Sequence, residues 1–199
     1  MKRLLIGLIA ILAAGAAAAA GDAGEVLRAL SAKIRSMSGY AVEFSLRSGT
    51  QTVRGEYTVR GDAFYMKFGQ AEVYSDGKTR REVDPEKKEV IIDAVDPRSH
   101  NILNNPTRAF DLAPEPFAAE LVEQSGQKSV VRLTPNDKSG GISTVVLTVD
   151  AKSGLPAALS YMLDHERIEV EIHAFGPTDR APRKFRAADY DGYEMIDFR

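Results

Sequence analysis

Residues 73–92 read VYSDGKTRREVDPEKKEVII, in which two clusters of turn residues separate short runs that are typical of strands. The Gly-Lys-Thr at 77–79 is similar to the end of a phosphate-binding P-loop. That motif needs a glycine five positions before Gly77, where this chain has Glu72, and it must join a strand to a helix. Asp76 and Gly77 are therefore interpreted as a hairpin turn between two strands.

The segment from Tyr40 to Val95 continues this pattern on both sides of the turn. The apolar residues of 40–46 alternate with smaller or polar ones, as in a strand that is buried on one face. Five further short strands follow, separated by turns of two to five residues. Short turns connect antiparallel neighbours, so the segment is predicted to form a six-stranded meander.

The rest of the chain adds helices and more strands. Asp22, with Glu25 three positions later, begins a pattern of helical spacing, so residues 22–37 are predicted to form an amphipathic helix. Residues 99–123 contain prolines and apolar clusters and are expected to form a crossover with one or two short helices. Four strands are predicted within 129–175, and a polar, basic tail follows.

These segments predict an α+β fold of roughly ten strands. We expect a curved antiparallel sheet that forms an open, unclosed β-barrel, with helices covering its concave face. A sheet of this size must curl, and a curled sheet with its apolar face inward makes a hollow. Residues 21–199 are expected to form this single domain.

The first twenty residues have the organisation of a cleaved secretory signal peptide: Lys2 and Arg3, an apolar run and a small-residue end at Ala20. An uncleaved membrane anchor is the alternative. Removing the two basic residues from 26 leaves 24 against 28 acidic ones, a net charge of −4, which argues against nucleic acid as a partner. The sequence has no cysteine, which excludes disulfides and a thiolate nucleophile. An exported protein of this kind is expected in a bacterial periplasm.

No catalytic residue, metal ion or other cofactor is predicted. His165 and Glu166 begin like a metalloprotease motif, but the second histidine is replaced by Glu169. His100, His165 and His173 are the only histidines, and a three-histidine metal site is less favoured than separate polar residues. A G-x-S-x-G nucleophile motif is absent from the sequence. Basic residues alternate with glutamates and are interpreted as solvated surface, namely Arg80, Arg81, Lys87, Lys88, Arg183, Lys184 and Arg186.

The apolar face of the predicted sheet is the candidate site. It could be an ordinary hydrophobic core. One helix and a short crossover are little cover for ten strands, however, so part of this face is predicted to bind an apolar ligand. The candidate cavity residues are Tyr40, Val42, Phe44, Leu46, Val53, Tyr57, Val59, Phe64, Met66, Phe68, Val90 and Ile92.

The order of these segments resembles a known family, the periplasmic outer-membrane lipoprotein carrier proteins of the LolA type. The likeness spans about residues 25–185. The stretches that carry it, in order after the helix, are MSGYAVEFSLRSG at 37–49, GEY at 55–57, YSDGKT at 74–79, DP at 84–85, VRLTP at 131–135 and APRKFRA at 181–187.

The resemblance implies a hydrophobic face, lidded by helices, that accommodates the acyl chains of lipoproteins without catalysis or a cofactor. It implies that the protein accepts acylated lipoproteins released by an inner-membrane ABC transporter and passes them to the outer membrane. An outer-membrane acceptor and a monomeric state are also expected. Ile102, Leu103, Phe110 and Leu112 are predicted to belong to the lid. Arg60 is the approximate counterpart of an arginine that latches the lid in the family.

Two other functions stay open at this point. The same open-barrel shape occurs in periplasmic sensors or interaction modules that bind a membrane-anchored regulator, usually with an added domain. A filled cavity would favour that alternative. An enzyme acting on lipids is the third possibility, and the sequence offers it no nucleophile with a base and an orienting acid.

Overall fold

The computed structural model describes residues 22–97, 105–107, 117–136, 144–163 and 166–199. Within them, one α-helix and one 3-10 helix accompany twelve strands of a single sheet. The elements are α1 (Ala23–Arg35), β1 (Tyr40–Ser48), β2 (Gln51–Arg60), β3 (Ala63–Phe68), β4 (Ala71–Ser75), β5 (Thr79–Asp84), β6 (Glu89–Ala94), β7 (Phe117–Gln124), β8 (Lys128–Pro135), β9 (Val145–Asp150), β10 (Pro156–Leu163), β11 (Glu166–Pro177), the 3-10 helix (Ala187–Tyr190) and β12 (Glu194–Asp197). The signal-peptide prediction for residues 1–20 and all four lid residues, Ile102, Leu103, Phe110 and Leu112, fall outside the described ranges.

The sheet is open, and its order is β12-β6-β5-β4-β3-β2-β1-β11-β10-β9-β8-β7. Neighbouring strands are antiparallel except β12, which lies parallel to β6. The expected large, unclosed antiparallel sheet is thus confirmed. Two details of the prediction are wrong for the described residues, where a single α-helix is present and residues 117–124 form β7, not part of a helical crossover.

The turn at Asp76-Gly77 joins β4 to β5, as predicted. The Asp76 carboxylate accepts hydrogen bonds from the backbone N–H groups of Lys78 and Thr79, at 2.9 and 2.8 Å. Gly77 has a φ of +91°, and a Cβ there would lie 2.8 Å from the Cβ of Asp62. Only glycine fits this backbone without strain. The stretch is a sheet corner, and it does not lead into a helix.

Helix α1 is amphipathic and lies with its apolar side on the sheet. Asp22 caps its first turn by accepting a hydrogen bond from the Gly24 N–H at 2.9 Å. Leu27, Leu30 and Ile34 recur at helical spacing and are all buried. The helix therefore contacts the sheet through one stripe of aliphatic side chains.

The inner core lies between α1 and the concave face of the sheet. We call the concave face of the sheet the inner face. Alternate residues of β1 to β4 and of β8 to β11 lie on it and pack with α1 in one cluster. The members exposed to 1% or less include Val42, Phe44, Tyr57, Phe64 and Met66. The inner face of the described structure is therefore packed against α1 and filled by side chains.

A second, smaller core lies on the other side of the sheet, the outer face. Tyr65, Tyr74, Val83 and Val90 pack together there, and Tyr65 and Tyr74 alternate along β3 and β4 with the inner-face residues Phe64, Met66 and Val73. The C-terminal segment, residues 181–193, covers them with the side chains of Phe185, Tyr190 and Tyr193. The tail predicted to be merely polar thus forms an aromatic cover.

Candidate functional site

The inner face contains most of the predicted cavity residues. Eight of them belong to the inner core, namely Tyr40, Val42, Phe44, Leu46, Tyr57, Val59, Phe64 and Met66. Phe68 packs against that core and is partly buried. Val53, also partly buried, lies opposite Leu46 in the β1–β2 register. The structure thus brings these ten side chains to one side of the sheet.

The placement predicted for Val90 and Ile92 is wrong. Both side chains pack in the outer-face core with Tyr74 and Val83. In the β5–β6 register Val90 lies opposite Val83, and Ile92 lies opposite Arg81. Paired residues of antiparallel strands share a face, so these two belong with the C-terminal segment and not with the inner face.

Aromatic rings form the centre of the inner face. The Phe44 ring lies over Gly55, its cross-strand partner, so closely that a Cβ at Gly55 would be 2.4 Å from the Phe44 Cζ. Phe44 also stacks with Phe68, with ring centroids 6.1 Å apart and planes at 10°. Gly55, which has no side chain, makes room for this ring.

Two partly buried residues, Val53 and Phe68, mark the margin of the inner face, which we call the rim. Gly69 follows Phe68 directly, and a Cβ on Gly69 would lie 3.2 Å from Val53 Cγ1. The end of β3 at Phe68 therefore lies beside Val53. The rim is apolar and reachable from solvent, so it is a candidate point of entry for an apolar ligand.

The described part of the crossover is hydrogen-bonded to the inner face. The Tyr40 hydroxyl donates to the carbonyl oxygen of Pro106 at 3.2 Å. The neighbouring Asn105 is buried, and its side-chain amide donates to the Asp96 carbonyl at 3.1 Å. Tyr40 therefore joins the sheet to the segment from which the lid was predicted.

Arg60, the predicted latch, binds elsewhere in the described structure. Its guanidinium donates a hydrogen bond to the carbonyl oxygen of Asp179, just after β11. This contact joins the end of β2 to the start of the C-terminal region. The hydrogen bond described between the sheet and the crossover is made by Tyr40 and not by Arg60.

A polar network fastens the C-terminal segment to the outer face. Glu72 accepts hydrogen bonds from the hydroxyls of Tyr65, Tyr74 and Tyr190, at 2.5, 3.2 and 2.8 Å. Arg183 forms an ion pair with the same carboxylate at 2.9 Å and lies over the Tyr65 ring. Because Glu72 is only 19% exposed and Tyr190 and Arg183 come from the segment, one carboxylate holds the cover in place.

Glu72→Gln is expected to detach this segment partly. Burial alone would raise the pKa of Glu72, but hydrogen bonds from the three tyrosines and the charge of Arg183 hold it below its usual 4.5. Because the pKa of Glu72 is lower in the folded protein than in the unfolded one, its ionised carboxylate stabilises the fold at pH values above the unfolded pKa. That stabilisation is lost as the pH falls through the folded-state pKa. We expect the variant to lose about 1–3 kcal/mol at pH 7. Its stability should fall less steeply below about pH 4.5, as urea unfolding at several pH values would reveal. An unchanged pH profile would contradict this role.

The interpretation of the basic residues as plain solvated surface needs correction at Arg183, described above, and at two further positions. Arg80 is 16% exposed and pairs with Glu82 at 2.5 Å. Arg81 lies over the Phe185 ring, 5.5 Å from its centroid, and is 3.8 Å from the Asp76 carboxylate. Both therefore contribute to packing.

The described residues contain no group of three or more His, Cys, Asp or Glu side chains that could hold a metal ion. His173 bonds Ser45 Oγ at 3.0 Å, and His100 and His165 belong to ranges that the structure does not describe. Helices within the described ranges also lack the length and apolar character of a membrane span.

Comparisons with known proteins concern the fold. No family model and no curated protein matches the sequence. An uncharacterized conserved protein from Thermus thermophilus is similar over 87% of this chain and 97% of its own, at 9% identity and a TM-score of 0.54. A LolA superfamily protein from Nitrosomonas europaea is also similar, over 81% of this chain and 96% of its own, at 12% identity and a TM-score of 0.41. The likeness to the Thermus thermophilus protein shows a shared fold alone.

A third similar structure is a chain of the MucA/MucB complex from Pseudomonas aeruginosa. It has 20% identity and a TM-score of 0.43, and the match covers 82% of this chain but 59% of that chain. Identities of 9–20% say nothing about what this chain binds. The function must therefore be argued from the inner face itself.

Proposed function

We propose that the protein is a periplasmic carrier that shelters the acyl chains of lipoproteins or related lipids and delivers them toward the outer membrane. The observation that supports this most is the inner face, a continuous apolar surface on eight strands of an open sheet, covered by α1. An acyl chain fits there if it replaces α1. The carrier would act as a monomer, without catalysis or a cofactor.

The free energy lost when α1 leaves the inner face is comparable to the free energy gained when an acyl chain is buried there. Undocking α1 exposes Leu27, Leu30 and Ile34 to water, and each exposed side chain costs about 1.5–3 kcal/mol. Each buried methylene of the incoming chain contributes about 0.8 kcal/mol, so half of a sixteen-carbon chain contributes about 6 kcal/mol and a whole one about 12. Because the two sums overlap, uptake is favourable while release is still possible.

The proposed cargo route includes partners outside the chain. An inner-membrane ABC transporter would deliver the lipoprotein, and an outer-membrane acceptor would receive it.

The Tyr40–Pro106 hydrogen bond supports a cover that can open. A single neutral hydrogen bond of this kind contributes only about 1 kcal/mol, so breaking it costs little. We propose that Ile102, Leu103, Phe110 and Leu112 extend the cover beyond α1, with Tyr40 as its polar fastening.

Phe68→Glu tests the carrier at the rim. A charge beside the entering acyl chain must be desolvated, so we expect a fluorescent sixteen-carbon fatty acid to bind at least about tenfold more weakly. Thr52→Glu is the matched control, because Thr52 neighbours the rim residue Val53 in β2, points to the other face and lies opposite Arg47. Fluorescence titration measures both variants, and thermal unfolding checks that each is folded. Equal binding by the two variants would argue against entry at the rim.

The alternative is a periplasmic interaction module that binds a membrane-anchored regulator. The filled inner core favours it, since Phe44, Tyr57 and Phe64 are almost completely buried without a ligand. Native mass spectrometry of protein from a periplasmic extract separates the two proposals. Bound lipid or acylated protein supports the carrier, whereas a ligand-free mass and no response to an apolar probe support the module.

A further inference from the structure

The hydroxyl group of Tyr57 lies inside the inner core without a partner. Tyr57 is 1% exposed, and within the described structure its hydroxyl oxygen is inaccessible and makes no hydrogen bond. A buried unpaired hydroxyl destabilises a folded protein, and phenylalanine would fill the same space without that cost. A tyrosine here therefore calls for a use of its hydroxyl.

The neighbours of Tyr57 explain why the protein itself offers no acceptor. In the sheet register Tyr57 lies between Val42 and Met66, both apolar. The rings of Tyr40 and Phe44 are 6.2 and 5.9 Å from the Tyr57 ring, centroid to centroid. The Tyr40 hydroxyl is turned to the Pro106 carbonyl, to which it donates, and makes no hydrogen bond with the Tyr57 hydroxyl.

The state of the Tyr57 hydroxyl is set by its surroundings. Burial raises the pKa of Tyr57 well above its usual range, with a smaller contribution from Tyr40. The group is therefore protonated at any physiological pH and can donate one hydrogen bond. An acceptor brought into the inner core would receive it in an apolar environment, where hydrogen bonds are strong.

We propose that the Tyr57 hydroxyl donates a hydrogen bond to the carbonyl oxygen of an ester- or amide-linked acyl chain bound on the inner face. This inference rests on the proposed carrier function and narrows its ligand class. A plain hydrocarbon chain has no acceptor, whereas every acyl linkage places one carbonyl next to its apolar tail. The hydroxyl thus selects acyl chains over alkyl chains of equal length and fixes how far the tail enters.

The test compares monopalmitoylglycerol with hexadecylglycerol, an ester and an ether that share a sixteen-carbon chain and headgroup. We expect the full-length protein to bind the ester about fivefold more tightly, as one neutral hydrogen bond allows. Tyr57→Phe should bind the ester and the ether equally, because the hydroxyl that distinguishes them is absent. Palmitoylethanolamide is a third ligand that separates amide from ester recognition. Displacement of a fluorescent fatty acid measures all three affinities.

The outcomes separate this inference from the carrier proposal. If Tyr57→Phe retains the ester preference, or if the unmodified protein shows none, the role of the hydroxyl is overturned while the carrier stands. If the unmodified protein binds neither ligand, both proposals fail. The free variant should melt at the same or a higher temperature, because an unpaired hydroxyl is removed. A lower melting temperature would reveal a partner within the protein and overturn the inference.

Discussion

Phe44→Ala is expected to lower the free energy of unfolding by about 3–5 kcal/mol, the usual cost of removing a fully buried aromatic side chain. Phe44 is 1% exposed, and its ring contacts two others in the middle of the inner face. Its loss removes apolar burial and leaves a cavity that the paired β1 and β2 backbones cannot close. Urea unfolding, followed by circular dichroism, measures the change.

Gly55 provides the control for this prediction. Gly55→Ala alone should cost about 1–3 kcal/mol, because the new Cβ would collide with the Phe44 ring. In a Phe44→Ala background the collision is gone, and alanine is at least as favourable as glycine in a strand. We therefore expect strong non-additivity in the double-mutant cycle. Additive effects would show that ring and glycine are not coupled.

Leu30→Ala should have the second largest effect, about 2–5 kcal/mol. Leu30 is 1% exposed and lies in the middle of the apolar stripe of α1. Weakening this stripe loosens the cover, so a carrier should bind an apolar fluorescent probe more readily while it unfolds more easily. Chemical unfolding and probe titration on the same sample measure the two effects.

Arg28→Ala is the matched control on the same helix. Arg28 is 63% exposed, and its ion pair with Asp22 spans 3.2 Å at the surface, so its loss should cost less than about 1 kcal/mol. Probe binding should not change. A Leu30→Ala protein that unfolds earlier but binds no more probe would favour the interaction module, because α1 would then be a fixed part of the core.

The sequence predicts the inner half of this fold because its strands alternate clearly. In residues 40–46 every second side chain is apolar, so both the strand and its buried face follow from the pattern. Val90, Ile91 and Ile92 are consecutive apolar residues and have no such period. Nothing local decides which face of β6 each one joins, and the placement of Val90 and Ile92 failed for that reason.

The outer-face network was missed because its partners are far apart in the chain. Glu72 and Tyr190 are 118 positions apart, and each taken alone is typical of a surface residue. Three aromatic residues at 185, 190 and 193 within a polar segment were the available signal. Their role as a cover can be recognised only once the folded sheet places Tyr65 and Tyr74 on its outer face, where the three aromatic residues pack against them.

The parallel strand at Glu194–Asp197 has a consequence for how the chain reaches this fold. It protects one margin of β6, yet about a hundred residues separate the two partners, so their encounter is slow. Until then the free amides and carbonyls of β6 are available to another molecule. The yield of correctly folded protein therefore depends on whether Glu194–Asp197 pairs with β6 of the same molecule before another molecule does. A low protein concentration favours the pairing within one molecule.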